Sequence, residues 1–174
     1  MLPPWPGWDG LHPLVIHFPI ALLMVAPLFI ALAAGVGRDI VQYSRAALVL
    51  LVLGTVATFV AVETGEAAAE GVIRTDAINA VLSQHADLAE TTRMVFTVLT
   101  VLYAAFLFLP SYVARLGSLA REARVRAGNL VFLVLSAAAM LLVVNTAHLG
   151  GRLVYQLGVR GASPASPAAG AQPR

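Results

Sequence analysis

The chain has no cysteine and no lysine, and only 11% of its 174 residues are charged. Without cysteine it can form no disulfide, run no thiol chemistry, ligate no iron–sulfur cluster through sulfur and attach no haem through a C-x-x-C-H motif. Any redox cofactor must therefore be held non-covalently by other side chains. The shortage of charge, with 59% hydrophobic residues and a mean hydropathy of +0.84, excludes an ordinary soluble domain. All eleven basic residues are arginines, spread over loops instead of gathered in a patch, so no nucleic-acid partner is expected. The sequence also lacks a nucleophile–base constellation, a phosphate loop and an H-E-x-x-H motif, which argues against an enzyme acting alone.

What is present is a series of apolar runs. A span needs roughly 20 residues to cross a hydrocarbon core of about 30 Å, so the length allows one membrane domain of about four spans. The expected fold class is an all-α, four-helix transmembrane bundle within residues 1–160, with spans at about 11–36, 46–66, 90–112 and 130–150, and a small, proline-rich, disordered tail at 161–174. The start has no basic n-region, and the first apolar run exceeds a signal-peptide core, so the first helix is expected to be retained. Trp5 and Trp8 suit an interfacial entry to it. Pro13 falls in the first turn, where a missing N–H costs little, whereas Pro19 and Pro27 are interior and should loosen or kink the helix. Span 2 should continue through Ala-rich sequence past the membrane to Gly71, and Gly54, Ala57 and Ala61 give it a face for close packing. Ahead of span 3, Ile78, Val81, His85 and Leu88 recur at helical spacing and describe an amphipathic helix. No internal repeat is evident beyond two helical hairpins.

The short loops joining spans 1 to 2 and 3 to 4 hold Arg38, Arg45, Arg115, Arg121, Arg124 and Arg126, so the positive-inside rule puts both in the cytoplasm and both termini on the outer, periplasmic side of a bacterial inner membrane. Arg74 and Arg93, outnumbered by acids, fall in the outer loop, although Arg152 and Arg160 after span 4 oppose this orientation. In that topology His12, His17, His85 and His148 all lie at one surface, with Glu63 and Glu66 beside them. Ionisable groups at membrane depth are costly and point to function. Haem b needs imidazole on its iron when cysteine is absent, and a four-helix bundle is a natural holder.

Counting 1.5 Å of rise per residue, His17 lies roughly 28 Å from Val36 and His148 roughly 27 Å from Leu130, so these two are level and form the preferred axial pair. His12 and His85 form a second level pair, roughly 36 Å from the far ends of their helices, and compete with the first as ligands or as propionate partners. Arg93 and Arg152 are candidates to pair with haem propionates. If the metal is instead Zn or Cu, the same histidines with Glu63 or Glu66 would supply its ligands. Glu63, first after the apolar run, is also a candidate to carry a proton or bind a cation; Glu70 solvates a helix end, and Tyr155 is an interfacial anchor.

The segments HPLVIHFPIALL in span 1, TGEAAAE after span 2, the stretch around His85, and TAHLGGRLVYQLGV after span 4 together resemble the DUF2231 family of predicted bacterial membrane proteins. The most specific pieces are the HP-x4-FP opening (His12, Pro13, His17, Phe18, Pro19) and the H-x-GG-x-L ending (His148, Gly150, Gly151). The resemblance implies a small multi-span bundle. Relatives joined to c-type cytochrome or Rieske modules imply respiratory redox work. These 174 residues hold no such module, so an electron would come from or go to a separate subunit or a quinone. The expected function is an electron-transfer subunit carrying b-type haem at the periplasmic face and working with a respiratory or photosynthetic complex or a periplasmic electron carrier. The competing expectations are a non-catalytic assembly subunit and a Zn- or Cu-binding membrane protein.

Overall fold

A computed structural model describes residues 7–35, 39–109 and 118–159, with side chains left aside over 118–121. Expectations for Trp5, Arg38, Arg115, Arg160 and the 161–174 tail lie outside the described residues. Among those described, the secondary structure is entirely helical: a 3-10 turn at Trp8–Gly10, then α1 (His12–Val15), α2 (His17–Gly35), α3 (Ile40–Glu70), α4 (Asp76–Phe108) and α5 (Ser118–Tyr155). Helices α1 and α2 are one span broken at Ile16. Pro19 has no N–H to offer the Val15 carbonyl and its ring crowds that oxygen, so the break falls where the ring sits. Pro27, in contrast, is carried inside α2 without ending it. Helix α4 is started by Thr75, whose hydroxyl accepts from the Ile78 N–H at 3.2 Å, with Asp76 in the first turn.

Among the described residues, four helices are long and apolar enough to cross a membrane: His12–Gly35, Ile40–Glu70, Asp76–Phe108 and Glu122–Tyr155. Their outward surfaces carry bare aliphatic side chains such as Leu28, Val56, Val98 and Val134, which water would not tolerate over such an area but lipid does. The chain is thus a multi-pass membrane protein. At 31 residues α3 is ~46 Å long, well beyond the ~30 Å of a hydrocarbon core, so it projects from the membrane.

The helices form a ring in which α2 packs on α3 and α5, α4 packs on α3 and α5, α3 and α5 barely touch, and α2 and α4 do not meet. Small residues set the close approaches. A Cβ on Gly54 would lie 2.6 Å from Cδ2 of Leu23, so only glycine lets α2 and α3 come this near.

The two hairpins repeat one another in burial although not in sequence. Pro19, Leu23, Ala26 and Ile30 of α2 are buried, and so, at one constant offset, are Thr92, Phe96, Leu99 and Tyr103 of α4. Ser44, Leu51, Gly54 and Thr58 of α3 correspond in the same way to Asn129, Ser136, Ala139 and Val143 of α5. The bundle is a duplicated hairpin with a pseudo-two-fold axis along the membrane normal. Sequence comparison of the halves misses this because the matched core residues differ in type and share only their inward direction.

Two polar layers cap the core. At one end Tyr103 donates to Asn129 Oδ1 at 2.7 Å, and Asn129 Nδ2 donates to Ser44 Oγ at 3.2 Å and to the Val125 carbonyl at 2.9 Å. At the other end stand His12 and His85. The layers are ~27–32 Å apart along the helices, which matches a ~30 Å hydrocarbon core and puts each at a boundary of it. Between them the Thr55 and Thr100 hydroxyls, 2.8 Å apart, join α3 to α4.

Candidate functional site: a pair of anchored histidines

His12 stands at the start of α1 and leans onto α3, where its Nδ1 lies 2.9 Å from the Ala61 carbonyl and 3.3 Å from the Thr64 hydroxyl. Thr64 spends its own proton within α3, on the Val60 and Ala61 carbonyls at 2.8 and 3.1 Å, and receives from the ring. His85 repeats the arrangement in the second hairpin: its Nδ1 lies 3.0 Å from the Thr146 carbonyl of α5. A carbonyl only accepts, so in both rings Nδ1 carries a proton, and in the neutral form of each ring Nε2 carries the lone pair. No bond to another side chain or carbonyl is formed by either Nε2 among the described residues.

Glycines make room for the rings. A Cβ on Gly65 would lie 3.0 Å from Cε1 of His12, and one on Gly150 would lie 3.2 Å from Cε1 of His85. Each imidazole therefore lies against a helix surface bared four residues after the carbonyl that holds it. Thr92 ties the second half further, its hydroxyl 3.2 Å from that of Thr146. The two histidines occupy matched positions in the duplicated hairpins.

The other expected residues lie elsewhere. His17 and His148 are exposed on the outside of the bundle. The shared level that counting along the chain gives them is not kept, since His148 stands beside Gln84 and Leu88 around His85, whereas His17 lies five residues further into its span than His12. Neither shares the face of the anchored pair. His17 follows His12 by five residues, roughly 140° around a helix, and His148 precedes Gly150 by two, roughly 160° around. Glu63 and Glu66 also point outward, and among the described residues no three His, Cys, Asp or Glu side chains gather as a metal would require. The expected Zn or Cu ligand set is thus not assembled there. Arg93 pairs with Glu90 and lies over the Phe59 ring at 5.1 Å, and Arg152 donates to Gln156 at 3.3 Å, so both arginines are engaged within the chain. The carbonyl and glycine partners on α3 and α5 were missed by sequence reasoning. The only signals for them were the small residues one turn apart, Ala61 with Gly65 and Thr146 with Gly150.

Two imidazoles with Nδ1–H on a backbone carbonyl and no protein partner at Nε2 are nitrogen donors of the kind that would hold a metal-bearing cofactor if one bound at this end. The backbone carbonyls play the orienting part that outer partners play in metal sites, since they fix ring direction and raise basicity at Nε2.

The arrangement defines a class, a four-span membrane bundle built from a duplicated hairpin with a histidine pair at one boundary. The chain belongs to the DUF2231 family, described as predicted membrane proteins, whose model matches residues 9–163. No curated protein matches the chain, and neither does any solved structure.

Proposed function

We propose that the protein is a membrane electron-transfer subunit that holds b-type haem between His12 and His85 at the outer face of a bacterial inner membrane and exchanges electrons with a redox partner there. The observation that carries this reading is the paired anchoring: two histidines from separate hairpins, each with Nδ1–H on a backbone carbonyl and Nε2 left as a bare donor. A purely structural histidine has no need of that symmetry. The orientation rests on the arginines at the opposite helix ends, among them Arg45, Arg124 and Arg126.

The haem would supply one-electron redox chemistry. Ala61 and Thr146 orient the two rings and keep the proton on Nδ1. Gly65 and Gly150 set how deeply each ring sits. Leu153 and Val81, both buried near this end, keep apolar surface around the pair. The histidine layer lies at the hydrocarbon boundary, so a soluble carrier or a partner subunit can approach within tunnelling reach from the outer side.

The test is a visible spectrum of the protein purified after expression with haem supply, alongside metal analysis. A Soret band lost in both His12→Ala and His85→Ala, and kept in His17→Ala and His148→Ala, is expected. A wild-type protein without Soret absorbance or bound metal sinks the proposal and leaves the assembly-subunit reading. Dependence of the band on His17 and His148 instead would return the ligands to the outer surface.

A further inference from the structure

The duplication supplies an internal control for a feature the histidine pair does not use. A groove of about 510 Å³ runs between α4 and α5 at the histidine end, with Gln84, Asp87, Asn145 and His148 among its walls and Leu88 and Leu149 beside them. At the matched positions the first hairpin has Leu11, Leu14, Val60 and Glu63. Leu14 is 56% exposed, a lipid-facing side chain, and the first hairpin folds well with it. The fold therefore does not require Gln84, Asp87 and Asn145. These groups stand at the hydrocarbon boundary, and their presence on one half where the other carries leucine and valine points to a ligand and not to packing.

The chemistry of the walls selects that ligand. Asp87 only accepts hydrogen bonds. Asn145 donates its amide to the Leu141 carbonyl at 2.7 Å, which leaves Oδ1 as an acceptor, and a ring nitrogen of His148 can accept a hydrogen bond. The groove thus favours a group that donates O–H, seated among leucines. No arginine lines it, and Asp87 repels a phosphate. We propose that this groove binds the headgroup of a membrane hydroquinone, whose flat ring suits the leucines and whose hydroxyls meet the acceptors. The use of such a donor rests on the electron-transfer reading above, whereas its binding does not need haem.

The test uses the full chain in phosphatidylcholine nanodiscs with a photoreactive azidoquinone, kept reduced, and maps the labelled peptides by mass spectrometry. Labelling is expected within residues 84–88 and 142–149 and should be competed by a short-tailed hydroquinone. Exchanging in the first hairpin's residues, Asp87→Leu with Asn145→Val, should weaken the competitor about tenfold or more, since a hydrogen bond to a charged acceptor is lost. His148→Asn gives a milder second variant, and thermal unfolding checks that both remain folded. Label spread evenly along the helices, competition unchanged in both variants, or displacement by phosphatidylethanolamine in place of hydroquinone would each overturn the assignment. Soret absorbance is read on the same samples: labelling without haem counts against the haem alone, and haem without labelling counts against the groove alone.

Discussion

The two polar layers of the bundle use the same duplication in opposite ways. In the layer of Ser44, Tyr103 and Asn129, the matched Ser44 and Asn129 bond to each other, Tyr103 bonds to Asn129, and the asparagine is engaged through both ends of its amide. In the layer of His12 and His85, each ring bonds sideways to its own hairpin and leaves its second nitrogen without a protein partner. A polar group whose bonds close within the protein fixes helix register. One held in place with a bonding position left over is prepared for something else. On the proposed function, the contrast assigns stability to one boundary of the membrane and chemistry to the other.

The contrast breaks if the layers exchange roles under mutation. If haem is held as proposed, His85→Ala is expected to abolish its Soret absorbance, the largest effect, because it removes one of the two proposed ligands. Asn129→Leu should leave the spectrum intact and lower stability by about 1–2 kcal/mol, read by unfolding in detergent, since the Tyr103 and Ser44 hydroxyls lose a partner inside the bundle. An Asn129 variant that lost haem, or a His85 variant that kept it, would show that the division is wrong.

A finer version concerns the glycines. Valine at Gly65 or Gly150 puts branched carbon where the imidazole now lies, at Cβ distances of 3.0 and 3.2 Å from the two rings before the methyls are added. The ring must turn off its carbonyl. Gly65→Val should weaken haem retention and shift the iron toward high spin without loss of helicity, measured by absorbance and circular dichroism. Gly54→Val, at the α2–α3 contact away from the histidines, should destabilise the bundle and leave the spin state alone. Smaller still, Thr55→Val removes one hydroxyl pair in mid-membrane and should cost about 0.6 kcal/mol, the usual scale of such bonds between spans, with no spectral change.

Class and span number were legible from hydropathy alone, because a hydrocarbon core imposes a length that a run of apolar residues either meets or does not. The break at Pro19 was legible too, from the missing N–H. The partner on the far side of each histidine was not. A carbonyl acceptor carries no side-chain signature, and a glycine under a ring looks the same in sequence as one that ends a helix. Depth could be counted from the helix ends. Which way a side chain faces at that depth depends on the rotation of each helix in the ring, and rotation is set by packing of residues such as Leu23 on Gly54, whose partners lie far away in sequence.

His17 is the sharpest test of that last distinction, although its expected effect is the smallest. Counting along the chain makes it level with His148 and well inside the apolar run, which favours it as a ligand. By rotation it stands about 140° from His12, and His12 is the one turned onto α3, which leaves His17 on the outer surface next to Phe18, itself 64% exposed. His17→Ala should therefore leave haem content, spin state and unfolding midpoint unchanged within error in protein purified in detergent. If rotation is the deciding variable, His17→Ala and His12→Ala differ completely despite lying five residues apart. Equal loss of haem in the two variants would mean that the break at Ile16 lets α1 swing, and that depth, not face, selects the ligand.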